Sequence, residues 1–173
     1  MVLTVGLAMM ASLGVVAQPE RIILIRHGEK PADHDDPHLT AEGRAHAERW
    51  VAYFTNSPVR LPGVLYAPRP TKQHPSDRAS ETLQPLAKAR QLEIRTPYAS
   101  TDYAKLAHDL LADDKLKGQT VVICWVHQYL PQFAKALGVD SQPKEWRGED
   151  YDGVYEITFP DGKARLKEST AAK

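Results

Sequence analysis

Arg26, His27, Gly28 and Glu29 stand together where the apolar run of residues 21–27 (RIILIRH) ends. An arginine keeps its charge at any physiological pH, and its planar fork matches two oxygens of a phosphate at once. The same cation lowers the pKa of a neighbouring imidazole, which keeps His27 neutral and nucleophilic. Gly28 allows a close approach of backbone to ligand. Downstream, Arg78 opens a predicted helix, whose free N–H groups also favour an anion. His127 ends a second apolar run, residues 119–127 (QTVVICWVH), and supplies one more donor when protonated. Two arginines, two histidines and a helix start make a clamp for a phosphoryl group, with one histidine placed for attack.

The elements that must hold these residues follow from apolar periodicity. Residues 21–27 and 119–127 predict buried strands, joined by shorter strands at 63–67 (GVLYA) and 92–96 (LEIRT). Residues 39–57 predict a helix capped by Thr40, with Ala47, Trp50, Val51 and Phe54 on one face and Gly43 weakening its first turn. A helix over 78–91, capped by Ser76 or Asp77, should kink or break at Pro85. Further helices are expected at 103–114 and 130–138. Asp161-Gly162 marks a hairpin between two final strands. Alternating strands and helices predict an α/β fold: a three-layer sandwich with a central, mostly parallel sheet flanked by helices. In such sheets ligands bind beyond the carboxyl ends of the strands, so His27 and His127 converge if their strands are neighbours.

The ordered set of motifs resembles the histidine phosphatase superfamily, the phosphoglycerate-mutase-like fold. LIRHGEK is similar to its first-strand R-H-G signature, and LTAEGRAHAERW to the L-T-x-x-G-x-x-x-A helix that follows. VLYAPRPTKQHPSDRASETLQPLA and TVVICWVHQYLPQFAKALG resemble its later segments, so the likeness spans about residues 21 to 159. It implies that His27 becomes phosphohistidine and that Arg26 and Arg78 bind the phosphoryl group. It implies further that His127 contacts that group and the transition state, and that no metal or cofactor takes part. Three features depart from the family pattern. Gln128 stands where a glycine usually follows the second histidine. The loop before Arg78 is long, so Arg69 could also face the phosphate. No long insertion supplies a cap, so the pocket should be open.

The resemblance places the leaving-group acid after the third strand, where Asp102 is the nearest carboxylate. Asp102 can equally serve as a helix N-cap. Glu29 and Glu81 are the alternatives, and Glu29 could instead hold Arg26 or Lys30 in place.

Two other chemistries compete. Residues 33–38 (DHDDPH) carry His34, His38 and three aspartates, but their spacing matches no standard metal site, and a solvated, substrate-facing loop is expected. Cys124 lacks the arginine cradle that a cysteine phosphatase needs after its nucleophile, so it is expected to be a core residue. The sequence contains no Walker motif, dinucleotide fingerprint or nucleophile elbow.

The 173 residues fit one domain, with 42% hydrophobic and 25% charged residues and a formal net charge of zero. No basic tract points to nucleic acid. Residues 1–17 carry no charge, and Val15 and Ala17 fit a signal-peptidase site, although no lysine or arginine precedes the run. The expectation is a cleaved signal peptide over 1–17 and a single phosphatase domain over 18–173. The product would be periplasmic or secreted, or cytoplasmic if the segment is kept, with no membrane span after cleavage. The expected activity is a phosphomonoesterase acting on a small-molecule or envelope substrate. A catalytically weak phosphate-binding module and a small intracellular phosphohistidine phosphatase are the alternatives. Substrate identity and oligomeric state stay open.

Overall fold

The computed structural model describes residues 18–33 and 35–171. The segment read as a signal peptide (1–17) and His34 lie outside the described residues. Six strands form one sheet in the order β3-β2-β4-β1-β5-β6. They are β1 (Arg21–Arg26), β2 (Val64–Tyr66), β3 (Ile94–Arg95), β4 (Thr120–Trp125), β5 (Gly153–Thr158) and β6 (Arg165–Thr170). The first four are mutually parallel, and β5 and β6 extend the sheet antiparallel.

Both predicted apolar runs are central because both faces of their strands are covered. On one face Ile22, Leu24, Val121 and Ile123 meet Leu106 and Leu110 of α3 (Tyr103–Ala112) and Leu130 and Phe133 of α4 (Leu130–Ala136). On the other, Ile23, Ile25, Val122 and Cys124 meet Trp50 and Phe54 of α1 (Ala41–Thr55) and Leu83 and Leu86 of α2 (Arg78–Arg90). The result is the expected three-layer sandwich with a mostly parallel sheet.

Thr40 caps α1 by accepting a hydrogen bond from Gly43 N. Asp77 precedes α2 but makes no side-chain cap bond; its own N–H donates to Pro37 O at 3.1 Å. Pro85 does not break α2, which runs unbroken to Arg90. Leu83 and Leu86 on either side of Pro85 are fully buried against the sheet. That packing holds the helix together where propensity alone would end it. β3 shrinks to two residues at the sheet edge, with one neighbour to bond to. Asp161 and Gly162 both take left-handed backbone in the β5–β6 connection, as the hairpin signal requires. Among the described residues, no helix is long and apolar enough to cross a membrane.

β1 and β4 are neighbours in register, Arg26 opposite Trp125. Their carboxyl ends therefore release His27 and His127 side by side. His127 itself begins a 3₁₀ turn (His127–Tyr129) just past the strand.

Candidate active site

Arg26 is 1% exposed and His27 6%, so the cation and the imidazole both sit out of bulk water. Burial pushes the His27 pKa down to about 4, against the pull of its bond to the Gly28 carbonyl; the charges of Arg26 and Arg78 and nearby His127 lower it further. The ring Nδ1 lies 2.8 Å from Gly28 O and donates to it in the neutral form. That fixes the tautomer and leaves Nε2 with an unprotonated lone pair. His127 is pushed down too, by burial and by the charges of Arg26 and Lys30, so it is neutral in the free protein near pH 7. An arriving phosphate dianion acts the other way and draws a proton onto it.

The buried donors of this cluster are unsatisfied by protein. Arg26 Nε, Arg78 Nε and His127 Nδ1 are buried without a hydrogen-bond partner among the described residues. Unpaired buried donors cost stability unless something accepts from them. Three converging on one basic pocket fit an oxyanion ligand.

Arg78 projects from the first residue of α2 and is oriented by a bond from NH1 to Asp36 O, 2.7 Å. One turn later, the Thr82 hydroxyl accepts from Gly28 N at 2.9 Å and donates to Arg78 O at 2.7 Å. Thr82 thus ties the R-H-G turn to the arginine helix. It lies in the family-like segment ending in RASETLQPLA, but the sequence offers no reason to assign it that task.

Gly28 and Gly43 share a second tie. A Cβ on Gly28 would lie 2.8 Å from Gly43 O, and one on Gly43 would lie 2.5 Å from Glu29 O. Gly43 therefore does more than weaken a helix turn: it lets α1 lie directly on the loop that follows His27. Gly43→Ala, which raises helix propensity, is expected to lower stability by about 1–3 kcal/mol and to reduce turnover with it. Urea unfolding of the variant checks the sign; a gain in stability would show that the contact is slack.

The three carboxylates considered as the acid are all bonded elsewhere. Asp102 meets Lys105 Nζ at 2.7 Å and makes no cap bond to α3. Glu81 accepts from His38 Nδ1 at 2.6 Å and Leu39 N at 2.8 Å. Glu29 faces His46 Nδ1 at 3.0 Å. None of these bonds involves His27 or His127. Arg69 is exposed, with its backbone N–H donating to Tyr98 O.

The aspartate-rich loop is organised by its own backbone. Asp33 and Asp36 side chains accept from Asp35 N and His38 N, each at 2.9 Å. Among the described residues, no three His, Cys, Asp or Glu side chains are grouped to hold a metal. Cys124 is fully buried, and burial pushes its thiol pKa far up, so it stays an un-ionised core residue.

One part of the site has no counterpart in the sequence reading. The loop before β5 wraps Arg26: NH1 donates to Gly148 O and, at 3.4 Å, to Asp150 O, and the guanidinium lies 4.0 Å from the Tyr151 ring centroid. His46, 2% exposed, bridges Glu29 and Asp152, the latter at 3.1 Å from Nε2.

Residues 22–98 match the family model described as histidine phosphatase superfamily (branch 1). Over that segment the chain is similar to the histidine phosphatase superfamily. The match covers β1 to just past β3 and so contains Arg26, His27 and Arg78. Phosphatases are also among the structural likenesses. Phosphoserine phosphatase from Entamoeba histolytica, in complex with 3-phosphoglyceric acid, aligns with a TM-score of 0.59 at 16% identity, over 88% of this chain and 97% of that one. The protein histidine phosphatase SixA, complexed with tungstate, gives 0.59 at 14% identity, over 87% and 97%. The alpha-ribazole phosphatase from Shigella flexneri gives 0.55 at 15% identity, over 88% and 96%. At these identities the likeness is one of fold. No curated protein sequence matches the chain.

Proposed function

We propose that this chain is a histidine phosphatase, a metal-independent phosphoric monoester hydrolase that works through phosphohistidine on His27. The observation that carries the proposal is the buried pair Arg26–His27, a neutral imidazole beside a fixed cation, with the free donors of Arg26, Arg78 and His127 around it. His27 Nε2 attacks phosphorus, the ester P–O bond breaks, and the leaving oxygen departs with the bonding pair. Water then attacks the phosphohistidine and releases inorganic phosphate. The two arginines and His127 balance the phosphoryl charge, the task a metal performs in other phosphatases.

Protonation of the leaving oxygen is the least supplied step, since Asp102, Glu29 and Glu81 are all engaged elsewhere. Leaving groups that need little protonation, phenolates or the imidazole of a phosphohistidine, are therefore favoured. A cleft of ≈ 470 Å³ beside His127 includes Gln128, Gln132, Gln142, Glu145 and Trp146 but no lysine or arginine. Its chemistry supports an uncharged leaving group over one bearing a carboxylate. The location outside the cytoplasm rests on the apolar residues 1–17 alone.

Turnover of p-nitrophenyl phosphate is expected to survive exhaustive chelation and to exceed that of an alkyl phosphate by about 10²–10⁴-fold, the usual worth of an absent acid. Asp102→Asn should leave that ratio within about threefold. A collapse of alkyl turnover alone would make Asp102 the acid. Loss on chelation, restored by one divalent ion, would bring the Asp33 to His38 loop into the site.

A further inference from the structure

Arg26 ends β1, but what aims it comes from the far end of the chain. Of its donors, NH1 is occupied by Gly148 O and Asp150 O, while Nε is buried and unpaired. A guanidinium held on one side only can still tilt about its stem. The ring of Tyr151, 4.0 Å away, closes that freedom by covering a face of the cation.

The loop is itself fixed from within. Asp150 O also accepts from Trp146 Nε1 at 2.9 Å, and Asp150 Oδ1 accepts from Asp152 N at 3.1 Å and Gly153 N at 2.8 Å. Gly153 cannot be replaced without collision, because a Cβ there would lie 2.7 Å from both Trp146 and Asp150. Asp152 is tied through buried His46 to Glu29, two residues past the nucleophile. The platform under Arg26 is thus joined to the loop that carries His27.

We propose that Tyr151 is a positioning residue for phosphoryl binding: its ring fixes the Arg26 guanidinium so that the unpaired Nε edge faces the phosphoryl oxygens. The inference rests on the phosphatase reading above, and inorganic phosphate tests it without turnover.

Binding of inorganic phosphate to the full chain is measured by calorimetry for the natural protein, Tyr151→Phe and Tyr151→Leu, with the thermal midpoint of each. Tyr151→Phe keeps the ring and should hold its affinity within about twofold; Tyr151→Leu should bind roughly 3- to 30-fold more weakly, the usual worth of a cation–π contact. Midpoints close to that of the natural chain, together with this ring-dependent split, support positioning. Equal affinity in Tyr151→Leu and the natural chain overturns it, as does equal weakening in both variants, which would assign the effect to the hydroxyl. Should Tyr151→Leu fail to fold, Tyr151→Trp replaces it; a large ring must then retain binding, and loss overturns the inference. Absence of phosphate binding in the natural chain would instead sink the phosphatase reading.

Discussion

Replacing His27 by alanine is expected to cut turnover of p-nitrophenyl phosphate by at least about 10⁴-fold, the scale seen when a nucleophile is removed from a preorganised site. The lone pair of His27 is buried among cations and directed by a bond from its other nitrogen to the Gly28 carbonyl. Arg26 and Arg78 do not depend on it for their orientation, since Gly148, Asp150 and Asp36 carbonyls hold them. The variant should therefore still bind inorganic phosphate while giving no phosphoprotein on rapid acid quench with labelled substrate. Retention of substantial turnover on clean substrate would require another nucleophile.

Arg26→Ala comes next in size. Removing one preorganised cation from a developing anion costs about 10²–10³-fold in kcat/KM, and Arg26→Lys should recover little, because an ammonium cannot present a bidentate edge. The pH profile adds a second signature. In the natural chain the neutral, active form of His27 persists down to about pH 4, so kcat/KM should fall only as pH drops through that value. Arg26 is one of the charges that depress His27, so its loss raises that pKa and moves the acid limb toward higher pH. An acid limb left in place, with kcat/KM unchanged, would remove Arg26 from phosphoryl binding.

Much of this was legible in the chain itself, for reasons that differ by residue. The two buried strands announce themselves because both faces are covered, which leaves uninterrupted apolar runs ahead of His27 and His127. Their adjacency, on which the convergence of the histidines depends, is set by pairing across the whole chain and could only be posed as a condition. Gly43 read as a weakness because propensity is local, whereas the contact it permits with Glu29 is not. Pro85 misled in the same way, since burial of its neighbours outweighs the lost hydrogen bond. The segment from Trp146 to Asp152 (WRGEDYD) has no period and looks like an ordinary polar loop. Its contacts with Arg26 and His46 reach more than a hundred positions along the chain, so nothing local marks Tyr151. The bonds that occupy Glu29 and Glu81 are likewise tertiary, whereas Asp102 is held locally by Lys105, and sequence could rank those carboxylates only by position.

The place of β4 between β1 and β2 has a consequence for how the chain is made. Among the described residues, β1 pairs only with β4 and β5, and β2 only with β3 and β4. A ribosome therefore delivers β1 first and its first sheet partner roughly a hundred residues later, a long parallel closure of the kind that folds slowly. Until Thr120–Trp125 emerges, the Ile-Ile-Leu-Ile stretch of β1 lacks its β4 partner and is exposed to misassociation. A nascent chain arrested before β4 should be unable to hold His27 and Arg26 in place, however complete its R-H-G and Arg78 motifs are. Phosphate binding should appear only after the last third of the chain has been synthesised, when β4, the Arg26 platform and β5 close on β1 together.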